Sequence, residues 1–519
     1  MRGISFLALL LLLGTTSCVF LKEKICRKTI TPEIIPVTQG AIQNAGAGAE
    51  VWNGGEKDGL TNLVQYAVRV SDYSVNSMIR INWASYEGKE GEYLFEKMDK
   101  HFEYCVKYGQ KLTIGCFLTS DNYGLTIDGA LCAYPAYVHD ALQKSEQKDI
   151  KYEVKSHKRT RWEPNFENPY FFERYNALLK AFAAYLEQPL TVDGKTVQRR
   201  KMIRYIEMRH FGFWGEGAYP KKLIPSNSAC LIQFADSFAR NLSKIRILVP
   251  TNGMVYVPSH YGSLKDYHFH LLTIKNEAGL FGIFRDNWGW DERSRSFQKI
   301  YYAANKYEKD GVWMYELLRD RWKGAPLIGE PGRTYPKGDF QPYSCLMQQV
   351  NYLHPAVIRN GNVSTGAGRS FYNQTSYSIL NDPPALDQFH QAYSIIGFRY
   401  LFTSAEIERG NGGLAIAMDW LNIGLTPTYD RWNIRFFIED EAGKEIWSGV
   451  SSLDLRTVLP SDKLMPGVVD SSCSKMHTDR FSGVPHNGRL YLEIVDVDGV
   501  SPNMALSIKG RTVEGGYAL

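Results

Sequence analysis

The 519-residue chain lacks several features that would each have decided its class. It has no dense Lys/Arg block. Its 60 basic and 55 acidic residues leave a formal charge of +5 spread along the sequence, so nothing is built to follow a phosphate backbone and nucleic acid is not an expected partner. It has no CxxC pair. After Cys18, the cysteines Cys26, Cys105, Cys116, Cys132, Cys230, Cys345 and Cys473 are scattered and odd in number, which indicates neither a zinc site nor a disulfide framework, and most of them read as buried small hydrophobes. Beyond the N-terminus no run approaches the roughly 20 apolar residues of a membrane-spanning helix. GxSxG, Walker A and GxGxxG motifs are missing from suitable settings, so no cofactor is expected.

What is present is apolar bulk: 44% hydrophobic and 13% aromatic residues, enough to core two or three domains. Residues 1–17 read as a signal peptide, with Arg2 at the charged end, an apolar stretch over 6–13 and small residues over 14–17. Cys18 then stands where a bacterial lipobox carries its lipid, although Thr15 occupies the usual aliphatic position. Two readings follow: lipid on Cys18, which puts the protein in the cell envelope and in contact with membrane through that lipid alone, or ordinary secretion. Residues 18–60, with Pro32, Pro36 and the run Ala45-Gly46-Ala47-Gly48-Ala49, read as a tether and lead-in.

From 61 to 385, strand and helix periods alternate. Residues 78–83 read as a strand; Leu94, Met98, Phe102 and Val106 recur as on a helix that Gly109 ends; 111–117 is a second strand. Past a polar, aromatic-rich insertion at 119–168, the expected order is helix 170–187, strand 203–211, helix 228–242, strand 245–251, helix 268–278 and strand 279–286. Helical stretches over 296–322, a strand over 326–330 and a helix over 342–353 follow. So many βα units predict an α/β chain with a (β/α)8 TIM-type barrel. Only two strands are visible before 203–211, so a third is expected inside the insertion or before Ser77. Over 390–519 the period becomes two, as in Leu414, Ile416, Met418, Trp420 and in Trp432, Ile434, Phe436, Ile438, which predicts a C-terminal β-sandwich.

The richest segment for chemistry is Tyr205-Ile206-Glu207-Met208-Arg209-His210-Phe211-Gly212-Phe213-Trp214-Gly215-Glu216-Gly217. A strand closes there on a glycine-flanked turn presenting Glu216, and barrel enzymes build their sites at the C-terminal ends of strands. Packing on Trp214 would keep Glu216 protonated, as a general acid requires. Leu327-Ile328-Gly329-Glu330 repeats the context three strands later, so Glu216 and Glu330 are the expected catalytic pair. Two such carboxyls suit glycoside hydrolysis, with retention at about 5–5.5 Å separation and inversion at about 6.5–9.5 Å. Arg80, Trp83, Arg209, His210, Trp214, Asp286, Asn287 and Trp288 fall at strand ends and are the expected sugar-binding groups, aromatic faces stacking on rings and polar groups bonding hydroxyls. Glu87, Glu90 and Glu92 read as a solvated acidic loop. His268-Phe269-His270 has metal-like spacing, but on a helix and without partner carboxylates, so no metal is expected.

At these residues the chain resembles a bacterial lipoprotein family named only as domain of unknown function 4832. The likeness is carried by Phe211-Gly212-Phe213-Trp214-Gly215-Glu216, Gly282-Ile283-Phe284-Arg285-Asp286, Ile328-Gly329-Glu330, His354, Ile396-Gly397-Phe398-Arg399-Tyr400 and 420–429. Trp83-Ala84-Ser85-Tyr86-Glu87-Gly88 also looks like the first turn of β-galactosidase-type barrels, although Gly215 stands where those enzymes carry Asn before the acid/base. The resemblance implies a barrel-plus-sandwich protein, a carbohydrate ligand, His354 among the binding residues, and the acid/base and nucleophile on strands four and seven. The expectations that stand are a glycoside hydrolase acting on a poly- or oligosaccharide, a noncatalytic glycan-binding lipoprotein, or a sandwich serving as a docking module.

Overall fold

A computed structural model describes residues 26–42, 44–52, 74–154, 158–252, 254, 262–288, 307–331, 345–359, 382–410, 412–462 and 467–519, without the side chains of 51, 52, 74, 75, 286, 287 and 331. Cys18 lies outside the described residues.

Eight parallel strands close into a barrel. In chain order they are β1 (Gly48–Trp52), β2 (Ser74–Asn82), β3 (Lys111–Leu118), β4 (Ile203–Met208), β5 (Ile247–Pro250), β6 (Gly282–Trp288), β7 (Leu327–Pro331) and β8 (Val357–Arg359). Every residue of β3 and β4 is buried, because helices cover the outside while side chains fill the inside. The covering helices include α1 (Asp99–Tyr108), α3 (Pro169–Leu186), α4 (Ala229–Asn241), α5 (Lys265–Thr273), α6 (Met314–Arg319), α7 (Leu346–Leu353) and α8 (Pro383–Ile395), while α2 (Ala136–Lys144) belongs to the insertion. Of the helical stretches expected over 296–322, 314–319 form α6, 307–313 instead hold a short antiparallel hairpin pairing Glu308–Lys309 with Val312–Trp313, and 289–306 lie outside the described residues.

The missing early strand is β1, in the segment expected to be a tether. It pairs with β8 on one side and β2 on the other and so closes the barrel. Small residues there imitate a linker, yet Ala45, Ala47 and Ala49 are almost fully buried, because barrel and sandwich pack tightly around them. The insertion is also ordered, as a four-stranded sheet with α2 against it.

The sandwich consists of two four-stranded antiparallel sheets. One holds β9 (Tyr400–Gly410), β10 (Gly413–Asn422), β13 (Lys475–Ser482) and the N-terminal strand Cys26–Ile30 on the far side of β9; the other holds β11 (Trp432–Glu439), β12 (Glu445–Val450), β14 (Arg489–Asp496) and β15 (Tyr517–Ala518). Buried and half-exposed positions alternate along β11 and β14, as the period of two requires. Cys26–Ile30 escaped the sequence reading because it is a charged, exposed edge strand with no apolar alternation.

The sandwich plugs the N-terminal end of the barrel. Tyr429 inserts among Tyr205, Leu248, Phe284, Ile328, Ala356 and Val357, and its hydroxyl donates to the Trp322 carbonyl at 2.5 Å. Lys111, at the start of β3, reaches Asp498 at 2.7 Å, Asp496 at 3.3 Å and Asp430 at 3.8 Å, and Arg204, at the start of β4, also pairs with Asp430. With that end covered, the strand ends that can carry a site are the C-terminal ones.

Candidate active site at the C-terminal mouth of the barrel

Glu330 sits on β7, and Glu216 follows β4 in a turn whose geometry is demanding. Trp214 adopts a left-handed conformation at φ 54°, which is costly for a bulky residue. Both of its backbone groups are held: its N–H donates to the Ser120 carbonyl at 3.0 Å, and its carbonyl accepts from Arg209 Nη1 at 2.8 Å. Gly215, at φ +66°, lies so close to the Arg209 backbone that a β-carbon would collide with it. Gly329 is constrained differently, because the Arg285 carbonyl and the Trp288 indole nitrogen occupy the space a β-carbon would need. The glycine before each glutamate is therefore a packing requirement.

Arg80, projecting from β2, joins the pair. Its Nη2 lies 3.2 Å from Glu330 Oε2 and its Nη1 lies 3.8 Å from Glu216 Oε1. Because both nitrogens belong to one planar guanidinium, the nearest oxygens of the two carboxyls are no more than about 9 Å apart, which leaves both hydrolytic geometries open. The side chains of Arg80, Glu216 and Glu330 are 16%, 19% and 11% exposed, so a ligand can reach them.

Beneath them the barrel interior carries alternating charge. Glu207 accepts from Arg209 and from Arg359, and Arg359 Nε donates to Glu50 Oε2 at 2.6 Å. Burial pushes the Glu207 carboxyl up, but Arg209, Arg359 and Arg80 more than offset this and hold it at about 2. Burial raises Glu50, with Arg359 and Thr113 opposing only in part. Arg209 links this layer to the mouth: Nη1 lies 3.9 Å from Glu216 Oε1, and its guanidinium stacks 4.3 Å from the Phe284 ring centroid.

Two mouth residues escaped the sequence reading. Asn252, just past β5, donates to Glu216 Oε2 at 3.4 Å and accepts from Arg285. Asp121, three residues past β3, faces Arg80, Arg161 and Arg209. Both lie within three residues of a strand's C-terminal end, and that position is the signal that would have found them.

Several expected binding residues lie elsewhere. Trp83 is fully buried, donates to Glu87 at 2.7 Å and packs on Phe171 and Tyr175, so no face is left for a sugar. Glu87 is correspondingly no solvated loop residue: it is buried and also accepts from Tyr137, Arg174 and the Gly91 N–H. His210 stacks 4.8 Å from Phe234 in the layer between barrel and helices, and burial drives its pKa down to about 3. Trp288 is buried, its indole donating to the Arg285 carbonyl at 3.1 Å. His354 is at the opposite end, hydrogen-bonded to the Leu425 carbonyl at 2.7 Å and stacked on Trp322 at 4.2 Å, so it ties barrel to sandwich. The side chains of Asp286 and Asn287 lie outside the described residues. Arg80, Arg209 and Trp214 are at the mouth, the Trp214 ring lying 5.1 Å from the Arg161 guanidinium. Among the described residues, no group of three His, Cys, Asp or Glu side chains is arranged to hold a metal ion.

No family model matches the chain, and no curated protein matches it. Among solved structures, an endo-glycoceramidase II from Rhodococcus sp. in a cellobiose-like imidazole complex is 11% identical over 73% of this chain and 86% of its own, with a TM-score of 0.39. The catalytic domain of a β-amylase from Paenibacillus polymyxa is 10% identical over 66% of this chain and 99% of its own, at 0.40. A psychrophilic family 10 endo-β-1,4-xylanase is 8% identical over 64% and 89%, at 0.34. These scores carry no argument about activity; the barrel assignment stands on the closed strand order itself.

Proposed function

We propose that the protein is a glycoside hydrolase acting on a poly- or oligosaccharide, with Glu216 as acid/base and Glu330 as nucleophile or base. The observation that carries this reading is the convergence of two carboxyls, one in the turn after β4 and one on β7, on the single guanidinium of Arg80. Hydrolysis would break the glycosidic C–O bond, one carboxyl protonating the departing oxygen while the other attacks the anomeric carbon or activates water. Screening a polysaccharide panel for released sugars tests it: wild type releases sugar from at least one member, and Glu216→Gln does not. Release unaffected by that change removes Glu216 from the mechanism.

One observation favours the rival, a noncatalytic glycan-binding protein. Glu216 is flanked by two guanidiniums and an amide, surroundings unlike the apolar wall expected of a general acid. Binding without release in the panel would select that reading. Lipid attachment at Cys18 and a place in the cell envelope are part of the same proposal, and they require that Cys18→Ala move the protein out of the membrane fraction.

A further inference from the structure

The loop after β3 is more firmly fixed than a mouth loop needs to be. The Arg209 N–H donates to the Cys116 carbonyl at 2.8 Å, Thr119 Oγ1 to the His210 carbonyl at 2.5 Å, and the Trp214 N–H to the Ser120 carbonyl at 3.0 Å. Ser120 Oγ in turn donates to Glu163 at 2.8 Å, and that buried carboxyl also accepts from Tyr219 at 2.7 Å. The next residue, Asp121, is thereby held beside the turn that presents Glu216.

Its carboxyl is left open. Oδ1 accepts from the Asn122 N–H at 2.6 Å, and among the described residues the group makes no other hydrogen bond and no ion pair. Among the described residues the neighbouring carboxyls are engaged: Glu216 and Glu330 with Arg80, and Glu163 with two hydroxyls. The charged groups around Asp121 are the guanidiniums of Arg80 from β2, Arg209 from the end of β4 and Arg161 from the insertion. An acceptor that is half-buried, rigidly mounted and, among the described residues, without an ion pair is suited to hydroxyl donors.

We infer that Asp121 is a sugar-binding residue of this site, its open oxygen accepting hydrogen bonds from ring hydroxyls of the glycan bound beside Glu216 and Glu330. The inference rests on the carbohydrate part of the reading above and needs no catalysis. Burial holds the carboxyl at about 6 against the pull of the arginines, so it changes charge where binding can be followed. Only the ionised form offers its full acceptor strength, so affinity falls as pH drops through that value.

The test is affinity gel electrophoresis of the full chain against soluble laminarin, xylan, xyloglucan, arabinan and pectic galactan, comparing wild type, Asp121→Asn and Glu216→Gln. Asn keeps the acceptor for the Asn122 N–H, so the loop stays in place. The expected result is retardation of wild type by at least one polysaccharide, weakened about tenfold or more in Asp121→Asn, as for loss of a charge-assisted hydrogen bond. The wild-type affinity should decline below about pH 6 while that of Asp121→Asn stays flat. Equal retardation of the two proteins, parallel pH profiles, or no retardation of wild type by any of the five overturns the inference. Retardation that depends on Asp121 without sugar release refutes hydrolysis and leaves this inference standing.

Discussion

Replacing Lys111 by Met removes the cation at the centre of the barrel–sandwich contact. The ammonium is 2% exposed and serves three carboxylates, of which Asp496 is 1% and Asp430 18% exposed. Breaking one side of a buried ion pair typically costs about 3–5 kcal/mol, because a charge stays behind without its partner. Here the lower end applies. Asp498 is 37% exposed and returns to water, Asp430 keeps Arg204, and Asp496 still accepts from the N–H groups of Asp498, Val500 and Ser501 at 2.9–3.2 Å. A loss of about 3 kcal/mol is therefore expected in urea unfolding, read as a lower midpoint at unchanged slope. Adding Asp496→Asn should recover part of it, since the carboxylate left unpaired is then gone. Acid should weaken the same contact. Burial raises Asp430, but Arg204, Lys111 and Arg246 outweigh it, so its folded pKa lies below the unfolded value. Its contribution is then present above about pH 4 and lost as pH falls through the folded value. A Lys111→Met variant within about 1 kcal/mol of wild type would refute the reasoning, because the cluster would then be no net tie between the two units.

Three buried histidines should make the protein acid-sensitive at a milder pH. His101, His210 and His268 are held at about 4, 3 and 3 chiefly by burial, so the unfolded chain takes up protons first. Stability should fall as pH drops from about 6.5 toward 3, and His210→Phe should flatten the Tm-versus-pH curve without changing glycan affinity. Gly329→Ala should cost about 1–3 kcal/mol by overpacking against Trp288 and lower turnover by about a hundredfold by moving Glu330, with unfolding and sugar release read on the same variant.

The sequence made much of this molecule legible where burial leaves a pattern. The βα alternation and the period of two in β10 and β11 come from faces that must be apolar, and the glycine-flanked glutamates mark strand ends where backbone and side chain crowd. What misled was local resemblance without tertiary context. The alanines and glycines before β1 look like a linker but are small because two units press on them. Trp83, His210 and Trp288 stand at strand ends as sugar-binding residues would, yet they turn outward or downward into packing, and one strand period cannot say which. The interior chain Glu50, Arg359, Glu207 and Arg209 joins residues from β1, β8 and β4 and its end, so no spacing along the chain could reveal it.

The central claim is that Glu216 and Glu330 act as one unit on a glycosidic bond. The most direct measurement is kcat/KM for sugar release by wild type, Glu216→Gln, Glu330→Gln and the double variant on whichever polysaccharide the wild type degrades. The account predicts losses of about 10²-fold or more in each single variant, with the double variant no worse than the poorer single one. Wild-type release by either single variant, or losses that simply multiply in the double, would contradict it.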